Sequence, residues 1–567
     1  MKGTAVSPGI SIGKACVIKK NKGLLSGIQL ENENDIEQEI EKYINAVTVS
    51  IEEVRAIISQ AESMEAVGIL EAQVELLNDP QIERDVFDKI KNERKTANDA
   101  LIDVIQILVQ LFQNMNDEYL SARAADVQDI GNRILNNLNS GYQATLRPFE
   151  PNTIIISEEL TASDTITLDI KNVIGFVTQT GGKTSHAAII ARSRGIPAVA
   201  GCGNALNEIK DQDIVLMDGE SGLVLVNPGP DLIETYRLKK DEYAEKSNLL
   251  KSLKDISGRT AEGVSIKLSG NIAGADEFDN LFENGGDGVG LLRTEMLYLE
   301  KDKFPTEEEQ FEFFRNIALK SKGKPVIIRT LDIGGDKQLP YFRIPAEQNP
   351  FLGYRAIRIS LDRIDIFQTQ LSAILRASVF GKFSIMFPMI SSLQELRAAK
   401  AILAESKEGL RKSNTVFDEK IKTGIMIEVP SAAITADLLA REVDFFSIGT
   451  NDLCQYTLAA DRMNEKIKDL YDPYNPAVLR LIQYVIEQGQ KNKINVGICG
   501  ELASDPMATL LLLGMGLEEF SMNPVSIPAI KNIIVHNSLE RAGKICNEVM
   551  KMDNSGQIIA YLQNLTA

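Results

Sequence analysis

The stretch that says most about the fold is Gly424-Ile425-Met426-Ile427-Glu428-Val429-Pro430, a short apolar run that ends in a carboxylate and a proline. Similar runs recur from about residue 260 onward and alternate with helical patterns: 264–268, 288–292, 325–329, 383–387, 445–449, 495–499 and 518–522. Eight alternating strand and helix units over about 300 residues predict a (β/α)8 barrel. An open, doubly wound sheet is the competing fold, but no dinucleotide-binding fingerprint follows the first strand.

A barrel of this kind carries its functional side chains where the strands end, because the loops after the strands build one face. The predicted strands end in arginines, carboxylates, an amide and a thiol. In chain order these residues are Arg293, Arg329, Glu428, Asn451 with Asp452 and the nearby Arg462, and Cys499. We therefore expect them to converge at one mouth of the barrel.

These residue types suit a small anionic substrate and a metal ion. Planar guanidinium groups bind phosphate and carboxylate oxygens in pairs, so the three arginines fit a substrate that bears both groups. The oxygens of Glu428 and Asp452 suit Mg²⁺, which accepts one or two protein carboxylates and completes its shell with substrate and water. Cys499 is a candidate proton donor or acceptor, because the pKa of a thiol can be tuned by its surroundings.

Each candidate also has an ordinary structural alternative. Arg293 and Glu295 could form a simple ion pair, and the Asn-Asp pair could cap the helix that follows its strand. Glu428 could be paired with a neighbouring arginine, and a cysteine at the end of a strand is often buried and inert. The functional interpretation is favoured because all of these residues fall at the same end of successive strands.

The first part of the chain shows a different pattern. Short strand-like runs at residues 3–19 and again after residue 148 predict one discontinuous α/β domain, formed by residues 1–20 and 147–228. Apolar residues in steps of three and four between them predict a bundle of about four helices over residues 21–146. We expect a linker helix at residues 229–259 and the barrel at residues 260–567.

One of the two histidines, His186, lies in a setting that favours chemistry. It stands in Gly181-Gly182-Lys183-Thr184-Ser185-His186, a glycine turn that runs into an apolar, helix-like stretch. An imidazole at a helix start, with free backbone N–H groups and a lysine nearby, is well placed to carry or receive a phosphate. A satisfied structural histidine is the alternative.

The composition excludes several kinds of partner. The chain has 567 residues and a net charge of −18, so nucleic acid and anionic membranes would repel it. It shows no signal peptide and no long apolar run, so we expect a cytoplasmic protein without membrane contact. The five cysteines are scattered and fit neither a disulfide framework nor a zinc site.

Together, these motifs resemble those of enzyme I of the phosphoenolpyruvate:sugar phosphotransferase system. The resemblance covers essentially the whole chain. It is carried, in order and spacing, by segments 181–188, 290–297, 329–337, 349–358, 449–462 and 497–501. The domain plan is similar as well: a phosphohistidine domain interrupted by a helical domain that docks the carrier protein HPr, then a barrel that binds phosphoenolpyruvate and forms a homodimer.

The resemblance implies a role for each candidate. His186 would be phosphorylated, with Thr165 as a hydrogen-bonding neighbour, and Cys499 would protonate the enolate. Glu428 and Asp452 would hold Mg²⁺. The residues expected to bind phosphoenolpyruvate are Arg293, Arg329, Asn451, Asp452 and Arg462, with Lys337 and Arg355 as auxiliary residues. The product would be pyruvate, in the first step of sugar uptake.

Two departures and four rival functions remain. Lys183 stands where the family often has arginine, and Cys454 beside the metal-binding pair is unusual. A nitrogen-regulatory paralogue usually carries an extra N-terminal sensory domain. Phosphoenolpyruvate synthase and pyruvate, phosphate dikinase need a nucleotide-binding domain, for which this chain shows no motif. An inactive scaffold would have no reason to keep His186, Cys499 and Glu428 together.

Overall fold

A computed structural model gives the fold of two compact units, residues 1–246 and 247–567, and each is described by itself. The described residues are 1–18, 27–58, 71, 73–113, 118–138, 149–158, 172–182, 188, 191, 196–299, 301–335, 337, 339, 341–345, 347–464 and 466–566. His186, Thr165 and Lys183 lie outside them, so their predicted roles stay predictions.

A seven-stranded sheet lies in the first unit, with strand order β1-β5-β4-β3-β2-β6-β7. The strands are β1 (Thr4–Ser7), β2 (Ile10–Ile18), β3 (Thr153–Ser157), β4 (Val173–Thr178), β5 (Ala198–Ala200), β6 (Ile214–Asp218) and β7 (Leu223–Val226). β2 pairs with β3 in parallel, which joins the start of the chain to a strand about 140 residues further on. Strand β7 was missing from the sequence prediction. It forms a hairpin with β6 through a turn in which Gly222 has a φ of 74°.

The remaining elements of the first part of the chain are helices. They are α1 (Glu33–Ile58), α2 (Pro80–Glu93), α3 (Ala97–Gln113), α4 (Glu118–Leu138), α5 (Ala205–Glu208) and the long α6 (Pro230–Ser252), and residues 73–77 are also helical. Helices α1 to α4 share one core of apolar residues at helical spacing, among them Val54, Val86, Leu101 and Ile130. A bundle is the expected arrangement for such stripes.

Eight parallel strands close into a barrel in the second unit, in the order β10-β11-β12-β13-β14-β15-β8-β9. They are β8 (Lys267–Ile272), β9 (Val289–Leu292), β10 (Pro325–Arg329), β11 (Lys382–Phe387), β12 (Lys422–Ile427), β13 (Phe445–Ile448), β14 (Asn495–Ile498) and β15 (Glu519–Met522). The predicted barrel is confirmed, and the open sheet is wrong, because β15 pairs with β8.

The helices that follow the strands pack mainly on the outside of the barrel, and the short helix after β9 packs in a separate apolar cluster. They are α7 (Phe278–Glu283), α8 (Met296–Leu299), α9 (Glu307–Lys320), α10 (Ile357–Asp362), α11 (Ile364–Ala377), α12 (Leu393–Lys412), α13 (Pro430–Ile434), α14 (Ala436–Leu439), α15 (Thr450–Leu458), α16 (Pro476–Lys491), α17 (Pro506–Gly514), α18 (Ile527–Val535), α19 (Leu539–Val549) and α20 (Ser555–Thr566). Among the described residues, none of the helices is both long enough and apolar enough to span a bilayer.

The first barrel strand begins later than predicted. Residues 264–268 were expected to form it, but Ser265 pairs with Arg259 in an antiparallel bridge, and Gly263 turns the chain with a φ of 86°. A left-handed glycine favours such a tight reversal. The strand therefore starts at Lys267 and continues to Ile272, which places Asn271 near its carboxyl end.

Candidate active site

The carboxyl ends of the barrel strands bring charged side chains into one connected cluster. Arg329 ends β10, and Asp332 and Lys337 lie in the loop after it. Arg355 follows further along the same connection, and Asp452 lies in the first turn of α15. Direct contacts link all five of these residues, so the structure brings together side chains that are up to 123 positions apart.

Asp332 lies at the centre of this cluster and is almost fully buried. Its carboxylate is 3.1 Å from Arg355 Nη2, 3.3 Å from Arg329 Nη1 and 3.5 Å from Lys337 Nζ. Burial acts to raise the pKa of Asp332, but the charges of these three cations outweigh it and hold the pKa well below its ordinary value. Asp332 is therefore ionised and fixes three cations at the mouth.

Glu295 supports the same cations from the end of the neighbouring strand. It forms a short ion pair with Arg329 and lies 3.3 Å from Lys337 Nζ. Burial opposes ionisation here too, yet the cations lower the pKa of Glu295. The simple ion pair considered for Glu295 and Arg293 is wrong, since Glu295 contacts other cations and Arg293 is exposed.

Asp452 holds two further arginines. Its two carboxylate oxygens lie 3.2 Å from Arg355 Nη2 and 3.3 Å from Arg462 Nη1. Arg355 also donates to the hydroxyl of Tyr456 at 3.0 Å, and that hydroxyl donates to the Phe351 carbonyl at 2.5 Å. Arg355 is thus held in place by its two carboxylates and Tyr456.

Several buried guanidinium nitrogens lack a hydrogen-bond acceptor. At the barrel mouth these are the Nε atoms of Arg329 and Arg355 and the Nη1 atom of Arg462. Among the other described residues, the Nε atom of Arg315 on α9 also lacks an acceptor, and it lies outside the charged cluster. For Arg462 the distance to Asp452 suits an ion pair, but the angle does not suit a hydrogen bond. A buried donor without an acceptor costs free energy. The three atoms at the mouth are therefore places where an anionic ligand could accept a hydrogen bond.

Glu428 faces the same mouth from the end of β12 and is 2% exposed. One of its oxygens accepts a hydrogen bond from the Met389 backbone N–H at 2.6 Å, and no arginine pairs with it among the described residues. Burial, together with the carboxylates of Asp452 and Asp332, raises the pKa of Glu428 to about 8. The carboxylates of Glu428 and Asp452 repel each other, and a divalent cation bound between them would remove this repulsion.

No group of three or more His, Cys, Asp or Glu side chains suited to a metal occurs among the described residues. Of the four carboxylates at the mouth, Glu295 and Asp332 pair with Arg329 and Lys337, and Glu428 and Asp452 are the two candidate metal ligands. This number fits Mg²⁺, which commonly takes one or two protein carboxylates and fills its remaining positions with substrate and water. The donor set therefore suits Mg²⁺ better than a metal that demands a complete protein cage.

Cys499 lies directly after β14 and is 5% exposed. Its thiol donates to the Ile448 carbonyl across 3.7 Å. Burial raises the pKa of Cys499 to about 11, and a hydrogen bond with the Ser447 side chain and the guanidinium groups of Arg329 and Arg293 reduce this effect only in part. The thiol is therefore protonated at neutral pH, as a proton donor must be.

Asn451 does not cap the helix that begins beside it, because the N-cap residue of α15 is Gly449. Its carboxamide instead exchanges two hydrogen bonds with Glu501, of 3.1 Å and 2.9 Å. Cys454, the unusual neighbour of this pair, is fully buried, and burial raises the pKa of its thiol to about 12. Cys454 therefore acts as a packing residue.

Glu295, Asp332 and Tyr456 were not selected from the sequence. Two signals were present: Glu295 follows Arg293 by two positions, and Asp332 follows Arg329 by three. Neither spacing reveals which cation a carboxylate will contact in a loop, because side-chain neighbours at fixed spacing are a property of helices and strands.

Three family models match the chain. They are described as PEP-utilising enzyme, N-terminal (residues 2–123), PEP-utilising enzyme, mobile domain (149–222) and PEP-utilising enzyme, PEP-binding domain (247–539). The third model covers every strand of the barrel. The second covers the segment that contains His186.

Full-length relatives carry one name. The phosphoenolpyruvate-protein phosphotransferase of Staphylococcus aureus (strain MRSA252) is 42% identical over 567 residues, which is 100% of this chain and 99% of the relative. The protein of the same name from Staphylococcus carnosus (strain TM300) is 42% identical over 571 residues, with the same two shares. That from Bacillus sp. (strain S) is 42% identical over 99% of this chain and 97% of its own length.

Proposed function

The chain belongs to the phosphoenolpyruvate-protein phosphotransferases, and we propose that it moves the phosphoryl group of phosphoenolpyruvate to His186 and then to the carrier protein HPr, releasing pyruvate. Membership confirms the family expected from the motifs. The observation that carries the residue assignments is the set of unpartnered guanidinium donors at the barrel mouth, on Arg329, Arg355 and Arg462. A substrate with a phosphate and a carboxylate group would satisfy them.

The arginines would bind and orient the substrate. Carboxylates already hold Arg329 and Arg355, so these cations lose little side-chain freedom when the anion arrives. Arg293, exposed beside the mouth, and Asn451 would complete the contacts. Preorganised positive charge of this kind stabilises the charge that develops on the transferring phosphoryl group.

Mg²⁺ would be held by Glu428 and Asp452. When bound, it would neutralise charge on the phosphate oxygens and help to fix the phosphoryl group in line for attack. The two carboxylates fit this role because Glu428 has a raised pKa that a nearby cation would lower. Lys337 contacts Glu295 and Asp332, and its positive charge would balance the negative charges of those two residues.

Cys499 would complete the chemistry on the carbon skeleton. As the bond from phosphorus to the enol oxygen breaks and the bond to the His186 imidazole forms, the electron pair stays on enolpyruvate. The thiol proton then moves to C3 of the enolate, which gives pyruvate and leaves a thiolate that water reprotonates. A thiol with a pKa near 11 is protonated at neutral pH, and this step requires the protonated form.

We further propose a homodimer formed through the barrel and docking of HPr on the helical bundle. His186 would have to serve both the barrel and HPr, so the domain that carries it would move between them. Both proposals rest on the resemblance of the domain plan to the family, and Pro228-Gly229-Pro230 is a candidate pivot.

Incubation with phosphoenolpyruvate labelled in its phosphate, with Mg²⁺ and without nucleotide, tests the proposal. The parent chain should gain an acid-labile label, and His186→Ala should gain none. The chain has only one other histidine, His536, whose ring nitrogen is 2.8 Å from the Asn532 carbonyl. His536→Ala is therefore a matched control that should keep the label. Equal labelling of His186→Ala and the parent would contradict the mechanism.

A further inference from the structure

We infer that the carboxamide of Asn271, itself held by Ser521, is the positioning element that fixes Cys499 for proton transfer to the enolate. This inference rests on the proposed role of Cys499 as the proton donor. It assigns a function to two polar residues inside the barrel that do not belong to the charged cluster at the mouth.

The contacts form a short chain of hydrogen bonds across the inside of the barrel. Asn271, near the end of β8, donates from Nδ2 to the Cys499 carbonyl at 3.0 Å. Ser521 of β15 donates from Oγ to Asn271 Oδ1 at 2.6 Å. Ser521 is 2% exposed and Cys499 is 5% exposed, while Asn271 is partly buried, so these bonds are largely but not fully shielded from water.

The Cys499 carbonyl, which can only accept, fixes which way the carboxamide of Asn271 points, and Ser521 holds the other end in place. A carboxamide has one accepting and one donating end, and the hydroxyl of Ser521 occupies the accepting end. The amino group therefore faces the Cys499 carbonyl. A flipped carboxamide would place two oxygens against each other, which burial makes costly.

Gly290 leaves room for the Ser521 side chain inside the barrel. A Cβ atom at Gly290 would come within 2.4 Å of Ser521 Oγ, so any larger residue at position 290 would push the hydroxyl away from Asn271. The interior of such barrels is usually filled by bulky apolar side chains. Glycine beside a polar pair at this level is explained by the need to keep the pair in place.

The consequence for Cys499 is a fixed backbone beneath a reactive side chain. Its N–H donates to the Ile448 carbonyl at 3.0 Å, and its own carbonyl is held by Asn271. β14 ends at Ile498, so Cys499 lies beyond the regular strand. With both backbone groups anchored, rotation of the side chain alone would turn the thiol from the Ile448 carbonyl toward C3 of the enolate.

Ser269 provides a matched control for Ser521. The two serines are register partners on adjacent strands, β8 and β15. Ser269 is also 2% exposed, but its hydroxyl donates to Glu519 Oε1 at 2.7 Å and not to Asn271. Replacing either serine by alanine removes one buried hydroxyl, whereas only Ser521 touches the residue that holds Cys499.

The experiment follows the proton and the phosphoryl group separately in a single turnover. Phosphoenolpyruvate that carries one deuterium at a defined position on C3 is used in tritiated water, with Mg²⁺. The methyl group of pyruvate then becomes chiral only if the proton is added to one face. Acid-labile label on the protein reports phosphohistidine in a parallel sample. Thermal unfolding shows that each variant is folded.

We expect Asn271→Ala and Ser521→Ala to give pyruvate of much lower chiral purity. A misplacement of about 1 Å can slow a reaction on the order of 100-fold, so released enolate would be protonated by water on both faces. The phosphohistidine yield should stay within about twofold of the parent, because these residues do not touch the phosphate site. Ser269→Ala should behave as the parent in both measurements.

Parent-like chirality in Asn271→Ala and Ser521→Ala, with chirality lost in Cys499→Ala, would overturn the inference and leave the role of Cys499 intact. Equal loss in Ser269→Ala and Ser521→Ala would overturn it as well, since the effect would then be general damage to the barrel. Unchanged chirality in Cys499→Ala would instead contradict the proposed proton donor. Should Asn271→Ala fail to fold, the two serine variants still decide the matter.

Discussion

Alkylation of Cys499 by iodoacetamide is expected to be very slow at neutral pH and to accelerate about tenfold for each pH unit until close to pH 11. The reacting species is the thiolate and not the thiol. Burial raises the pKa of Cys499 to about 11, so the thiolate is scarce in the folded protein. Because the charged form is the disfavoured one, reactivity rises only as the pH approaches that value.

The size of the effect follows from the shift of the pKa. The ordinary pKa of a cysteine thiol is 9.0, and the pKa of the buried Cys499 thiol lies near 11. This rise in the pKa makes the thiolate about 100-fold scarcer at pH 7 and corresponds to about 3 kcal/mol between the two protonation states. The unfolded chain should therefore react about 100-fold faster than the folded one at the same pH.

Peptide mapping after timed alkylation measures the rate at each cysteine. Cys202 is a matched control, because it is also 5% exposed and burial raises its pKa to about 11 as well. The two thiols should show similar pH profiles. Phosphoenolpyruvate with Mg²⁺ should slow the alkylation of Cys499 and leave that of Cys202 unchanged, since only Cys499 lies at the proposed substrate site.

A midpoint below about pH 8 for Cys499 would refute this reasoning, because the thiol would then lose its proton before meeting the substrate. Equal protection of both cysteines would show that the protection does not come from substrate bound at the barrel mouth. Either result would require another proton donor for the enolate.

Three further changes test other parts of the structure. Lys531→Met should lower the free energy of unfolding by about 3 kcal/mol in urea titrations, because three carbonyls within 3.3 Å lose their ammonium donor at about 1 kcal/mol each; the exposed Lys544→Met is its control. Ser392→Ala removes the N-cap bond to the Glu395 N–H and should cost about 1 kcal/mol, read from thermal unfolding. Glu428→Gln should raise the Mg²⁺ concentration for half-maximal turnover by at least ~10-fold in a metal titration.

The outcomes that would contradict these predictions are as distinct as their causes. Equal stability losses for Lys531→Met and Lys544→Met would show that the buried ammonium contributes nothing specific. A loss near 3 kcal/mol for Ser392→Ala would mean that the residue does more than cap α12. An unchanged Mg²⁺ requirement for Glu428→Gln would remove that carboxylate from the proposed metal site.

The barrel was predictable because each of its strands can be recognised separately in the sequence. Runs such as Pro325–Arg329 and Phe445–Ile448 are short, apolar and bounded by turn residues, and parallel topology then places all their carboxyl ends on one face. The candidates at those ends follow from topology alone. The start of the first strand was misplaced because Val264 is as apolar as residues of the strand itself, such as Leu268, and only the turn at Gly263 shows that Val264 lies outside the sheet.

Pairing is a different matter, because it depends on side-chain geometry that no spacing in a loop records. Glu295 contacts Arg329, 34 positions away, and not Arg293, two positions away. Asn271 and Ser521 are 250 positions apart and lie inside strands, where a polar residue usually marks the solvent face of a sheet. Closure of the barrel between β15 and β8 turns that face inward and brings the two together. A lone polar residue within a strand of a closed barrel is therefore a better candidate for function than the same residue in an open sheet, since burial requires it to have a partner.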